Sequence, residues 1–177
     1  MGQKIRRIVT GHKDGKATIM INDLASNATE IKGWKGLWVT ELWTTNEMPI
    51  DNAQWGEDQG ARPLRHDPTP SGTIFRVVEF PPESAGEIDP AEAFKSLGST
   101  NKPKAEDSAK HGSMHKTNSV DYLVVIAGEM WMVMEEGEVL LRPGDCIVQR
   151  GTNHAWVNKS DKPCLLAAIL IDAKPAP

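Results

Sequence analysis

Between residues 120 and 151 the chain reads VDYLVVIAGEMWMVMEEGEVLLRPGDCIVQRG, and this stretch constrains the fold more than any other. Val, Ile, Leu, Met and Trp dominate it, and turn signals break it at Gly128, Glu136-Gly137 and Pro143-Gly144. Runs of about five to seven such residues between turns are the pattern of an all-β barrel or sandwich. The rest of the chain agrees. KIRRIVTGHKDGKATIMIND reads as two strands joined around Lys13-Asp14-Gly15, a hairpin signal. GLWVTELWTT (36–45) and GTIFRVVEFPP (72–82) are further strands. In the second, Ile74, Val78 and Phe80 alternate with Phe75, Val77 and Glu79, so apolar residues fall on both faces. PCLLAAILIDA (163–173) is nearly unbroken apolar sequence, expected as a strand buried on both sides. One helix is expected in DPAEAFKSLG, with Asp89 as N-cap, Pro90 at the first helical position, Glu92 completing a capping box and Gly98 after the end.

The remaining segments are polar. Residues 46–71 form a long Pro- and Gly-punctuated excursion, the kind of segment that serves as a lid, binding loop or dimer arm. The 177 residues suffice for one domain: N-terminal strands and loop over 1–82, helix and linker over 83–110, and the core β motifs over 111–173. A formal net charge of −4 offers no basic field for nucleic acid, and no apolar run is long enough to cross a membrane as a helix. The N-terminus lacks a secretory apolar region, and Arg6 stands where a myristoylation signal prefers Ser or Thr, so a cytoplasmic protein is expected. Cys146 and Cys164 are then expected as two reduced core thiols.

Three positions carry potential chemistry. His115 ends HGSMH, Asp121 opens the strand DYLVVIAG, and His154 opens HAWVN. An Asp at the start of an apolar strand has poor β propensity and is unfavourable to bury unpaired. Two imidazoles and one carboxylate form the facial type of metal site, which leaves positions open for substrate, water or dioxygen. Trp156, two residues beyond His154, shares its face and is a candidate pocket wall. Tyr122 should face away from Asp121, into core packing. His12 and His66 lie in polar loops and read as solvated, and His111 reads as an exposed loop residue.

In these residues the chain resembles the cupin superfamily. His115, Thr117, Asp121 and Gly128 stand in the register of the first cupin motif, with Thr117 where a second His is usual and Asp121 in place of Glu. Gly144, Gly151, His154 and Asn158 follow the second motif, with Gln149 in place of Pro and one residue fewer before Gly151. Small single-domain cupins with one His, then T…DY, then QRGTNHAW, are similar over about 111–172. The resemblance implies a cupin-type β-barrel or jelly roll with extra N-terminal strands. It implies a divalent first-row metal (Fe, Zn, Mn or Ni) held by His115, Asp121 and His154. Thr117, Trp156, Trp131, Phe75 and Gln149 would line the substrate pocket. The implied function is metal-dependent chemistry on a small organic molecule, either as an oxygenase or as a Lewis-acid lyase, decarboxylase or isomerase. The alternative is a non-catalytic cupin that binds a ligand or serves a structural or regulatory role. A homodimer is expected, with neither nucleic acid nor membrane as partner.

Overall fold

The computed structural model describes residues 2–53, 57–99 and 110–176. Among the described residues eleven strands and one α-helix are formed: β1 (Arg6–Lys13), β2 (Lys16–Leu24), β3 (Asn27–Glu30), β4 (Trp38–Thr45), β5 (Thr73–Phe80), α1 (Pro90–Ser96), β6 (Ser119–Ala127), β7 (Met130–Met134), β8 (Glu138–Leu141), β9 (Cys146–Arg150), β10 (His154–Val157) and β11 (Cys164–Asp172). A six-stranded sheet runs β3-β4-β5-β11-β6-β9, and a three-stranded sheet runs β10-β7-β8. All pairings are antiparallel. The two sheets share one core, in which Leu123, Val125 and Leu166 of the larger meet Met130, Leu141 and Trp156 of the smaller. This is the expected all-β cupin-type barrel.

The β1–β2 hairpin turns at Asp14-Gly15, whose φ values of 52° and 72° are what a tight two-residue hairpin turn demands. On β6, Ser119, Asp121, Leu123 and Val125 are buried, while Tyr122, Val124 and Ile126 are exposed. This strict alternation aims Asp121 into the barrel. Tyr122 faces away from Asp121 as expected, but onto the open outer face rather than into core packing. Helix α1 begins as its sequence dictates, with the Asp89 carboxylate accepting from the Glu92 N–H at 3.1 Å. Its first turn lies on Gly33, where an added Cβ would stand 2.8 Å from both Ala93 N and Asp89 O. Phe94 and Leu97 are thereby pressed over the barrel interior.

The outer face of the large sheet is less covered than its apolar sequence implies. Ile5 and Ala25 at the hairpin base pack on Leu42, Val77 and Leu165. Beyond them Phe75, Ile169, Tyr122 and Val148 form one row across four strands, in direct register, and all are exposed. So β11 is buried on one face only at its Ile169 end. An apolar residue on each face signals two buried faces only when the chain supplies a second cover. Cys146 is likewise exposed, so only Cys164 is a core thiol, and both are free. Among the described residues no helix is long and apolar enough to cross a membrane.

Gly128 links β6 to β7 at φ 78°, and an added Cβ would stand 2.5 Å from Pro163 O. Gly137 has a similar φ of 83° with nothing within 4 Å. The left-handed conformation alone disfavours a side chain by about 1 to 2 kcal/mol, and overpacking adds about 1 to 3 kcal/mol. Urea denaturation should therefore place Gly128→Ala well below Gly137→Ala in midpoint, with Gly137→Ala slightly below the parent protein.

Candidate functional site

The two motif histidines are joined through their backbones. His115 N–H donates to His154 O at 2.9 Å, and His154 N–H donates to His115 O at 2.9 Å. This reciprocal pair is an antiparallel β-bridge, which sets both side chains on one face. Their ring centroids lie 4.5 Å apart at a 48° tilt. His115 Nδ1 is 2.9 Å from Ser113 O, and His154 Nδ1 is 2.9 Å from Thr152 O. A carbonyl only accepts, so the proton in each ring is assigned to Nδ1 and the lone pair to Nε2. Gln149 Nε2 lies 3.0 Å from His154 Nδ1, but its two hydrogens serve Thr152 O at 2.8 Å and Thr152 Oγ1 at 2.5 Å. Gln149 therefore shapes the turn behind His154.

Both imidazoles are held neutral. Burial dominates for His115 and lowers its pKa well below the ordinary value, with His154 and His66 adding repulsion. Burial likewise brings His154 down to about 4, opposed by its bond to Thr152 O. Asp121 moves the other way, up to about 6, because burial of its carboxylate outweighs the hydrogen bond from Ser119. That bond is 2.6 Å, and Thr117 Oγ1 lies 2.7 Å from Ser119 Oγ, so a hydroxyl chain runs from Thr117 to Asp121. Arg76, also buried, sits 2.7 Å from Glu41 and donates to Arg65 O. The contact with Glu41 is ionic rather than an aligned hydrogen bond, since both Glu41 oxygens and Arg76 Nε lack hydrogen-bond partners. Burial raises the Glu41 pKa, with Arg76 opposing.

His115, Thr117, Asp121, His154 and Arg76 line a cavity of about 100 Å³. Its walls are mostly apolar, formed by Val39, Leu123, Leu166 and Leu170 from the sheet and by Phe94 and Leu97 from α1. His115, Asp121 and His154 all face it, as do Thr117 and Trp156, whose ring meets His154 edge-on at 5.2 Å. Three further sequence assignments are corrected. Phe75 points outward, because Ile74, Arg76 and Val78 take the inward positions of β5. Trp131 pairs with Val157, on the opposite face of the small sheet from Trp156, and packs with Met114, Val133 and Ala155. Gln149 is buried behind His154 and does not line the cavity.

His66, read as solvated, is 7% exposed and lines the cavity. Its ring centroid lies 5.0 Å from that of His115 and 5.5 Å from that of Phe94. Its setting in ARPLRHDPTP gives no local signal, since only the return of the 46–72 connection over the barrel brings it in. His111 is partly buried and bonded to Ser113 and Glu83.

An imidazole pinned at Nδ1 by a backbone carbonyl, with Nε2 free, is the usual presentation of a metal-binding histidine. Two rings meet that description. Yet among the described residues no three His, Cys, Asp or Glu side chains gather so as to hold a metal ion. The residues present thus provide a donor pair and do not fit a complete protein ligand set.

Comparison with known proteins agrees with these motifs. The family model of the cupin domain matches residues 102–171. A cupin-domain-containing oxidoreductase of Neurospora crassa is 38% identical over 174 residues, covering 96% of this chain and 74% of its own length. A phomopsin biosynthesis cluster protein of Diaporthe leptostromiformis is 45% identical over 64 residues, 35% of this chain, and the match spans only 34% of that protein. Among solved structures, the cupin domain of an XRE-family transcriptional regulator from Enterobacter cloacae aligns with 59% of this chain and 83% of its own, at 18% identity and a TM-score of 0.36.

Asp121 holds its proton more tightly folded, at about 6, than unfolded, at about 4. Between those values the folded protein binds more protons, so this group lowers stability as pH rises. Asp121→Asn removes that dependence. The stability of the variant relative to the parent should rise by about 2 to 3 kcal/mol between pH 4 and pH 7, measured by urea denaturation. The depressed histidines act with the opposite sign in an overlapping window, but both proteins contain them, so the difference isolates Asp121.

Proposed function

The chain belongs to the cupin superfamily, and we propose that it is an enzyme that moves protons on a small organic molecule held inside the barrel, in the manner of a lyase or isomerase. One observation carries this reading: two neutral imidazoles present Nε2 lone pairs in an apolar cavity that also holds a carboxyl group of raised pKa. Both imidazoles stay unprotonated at neutral pH and so are open to accept a proton, and a carboxyl near 6 exchanges one close to neutral pH. Such a positioned acid or base contributes roughly 10²- to 10⁴-fold in rate. Either His154 or His115 takes the proton, Asp121 supplies or receives its counterpart, and the Thr117–Ser119 hydroxyls orient the Asp121 carboxyl. The mostly apolar walls limit the water around the exchange.

A second reading is a metal-dependent oxidoreductase, and it is favoured by the Nδ1-pinned histidine pair and by the name of the Neurospora crassa relative. A divalent first-row metal there would supply Lewis-acid or redox chemistry. His115 and His154 would be its protein donors, with Asp121 expected from the sequence as the third.

Incubating the protein with a small-molecule extract of its source organism, followed by mass spectrometry, tests the enzyme reading. At least one component should be consumed by the parent protein and spared, by about 10²-fold or more in rate, by His115→Ala and His154→Ala. Identical profiles would leave a non-catalytic ligand-binding cupin. Elemental analysis of the purified protein separates the two chemistries: near-stoichiometric iron, zinc, manganese or nickel that both histidine variants lose favours the oxidoreductase.

The proposal includes a homodimer formed through the exposed row Phe75, Ile169, Tyr122 and Val148. A charge at its centre should weaken self-association. Sedimentation should show the parent as a dimer and Ile169→Lys as a monomer of unchanged circular dichroism.

A further inference from the structure

The cavity's chemistry limits what it can hold, and the limit rests on the enzyme reading above only in naming the occupant a substrate. Size comes first. A single water needs about 10 to 15 Å³ of space by the measure that gives this cavity about 100 Å³, so it holds on the order of ten non-hydrogen atoms. Phe94 and Leu97 of α1 form part of its wall.

Charge comes next. Of the ionisable groups that face the cavity, Arg76 opposes a cation and Asp121 opposes an anion. Arg76 is already paired with Glu41 and donates to Arg65 O, so a carboxylate would compete with Glu41 for its charge, with Nε lacking a hydrogen-bond partner. An ion of either sign would surrender its hydration without a dedicated partner. Hydrogen-bond polarity comes last. Nδ1 of both His115 and His154 is spent on backbone carbonyls, so each offers only an acceptor, Nε2. The Ser119 hydroxyl is spent on Asp121. The His115–His154 pair is therefore an acceptor site, and its complement is a donor.

We propose that the cavity takes a neutral, compact, otherwise apolar molecule that carries a hydroxyl group, with the O–H directed at the His115–His154 pair. An ether of the same shape leaves the imidazole lone pairs unmatched. A carboxylate brings a second acidic group beside Asp121, and an ammonium meets Arg76.

Isothermal titration of the whole protein at neutral pH with four probes of one shape tests this: cyclohexylmethanol, its methyl ether, cyclohexylmethylammonium and cyclohexanecarboxylate. The alcohol should bind about tenfold or more tightly than each of the others. His154→Ala should reduce the alcohol's advantage over the ether. Phe94→Ala should admit 4-tert-butylcyclohexylmethanol about tenfold better than the parent does, with Leu97→Ala as the second variant if Phe94→Ala fails to fold. Equal or tighter binding of the ether, the ammonium or the carboxylate overturns the proposal, and so does absence of binding by the alcohol. None of these titrations measures turnover, so they can fail while the histidine variants still abolish metabolite consumption, and the reverse holds too.

Discussion

The reciprocal backbone hydrogen bonds between His115 and His154 are the constraint on which the site depends. The two residues are far apart in sequence and lie in different segments, one before β6 and one at the start of β10. A directly opposed antiparallel pair fixes separation and facing together, which two loops could not do with the same precision. Once the backbones are bridged, the rings have little choice. Each Nδ1 finds the carbonyl two residues upstream, Ser113 O or Thr152 O, and each Nε2 is left for the cavity. The rest of the barrel serves this pair. β6 brings Asp121 to the same interior, β10 continues to Trp156, and α1 closes the space with Phe94.

Burial then sets the protonation states. The same apolar environment that keeps the imidazoles unprotonated holds a proton on Asp121 at higher pH than usual, because in each case the charged form loses its solvation. Groups of opposite acid–base character are thus drawn toward their neutral forms within one enclosure. Asp121, near 6, changes protonation close to neutral pH while the imidazoles stay unprotonated, whereas a charged acid–base pair would lock into a salt bridge. Arg76 and Glu41 illustrate that alternative a short distance away, two buried ions committed to each other.

Much of this arrangement was legible in the sequence. The period-2 pattern of DYLVVIA sets Asp121 and Tyr122 on opposite faces, and the Asp89-Pro90 start marks α1. The motif spacing singled out His115 and His154. What alternation cannot say is which of two apolar faces is the inner one. Phe75 and Trp131 were assigned to the pocket on their character alone, and the register that turns them away is a property of strand pairing. His66 was invisible for a different reason. Its neighbours Arg65, Asp67 and Pro68 are those of a solvated loop, and only the path of the long β4–β5 connection places its ring over His115.

Thr117 stands where the resemblance leads one to expect a histidine, and its surroundings show what the replacement accomplishes. Its hydroxyl lies in a chain with Ser119 and Asp121, all three buried, and that chain satisfies polar groups that would otherwise be orphaned beside an apolar cavity. An imidazole at 117 would be too large to join the chain and would free Ser119 and Asp121 for other partners. With a hydroxyl there, the Asp121 carboxyl is tied at one oxygen and its other oxygen is left for the cavity. The exchange therefore shifts the site from gathering donors around one point toward a line of hydrogen-bonding groups along a wall. A line of that kind suits an extended polar edge or a proton path better than it suits a central ion. His66, its ring 5.0 Å from that of His115, adds a third imidazole to the same cavity wall.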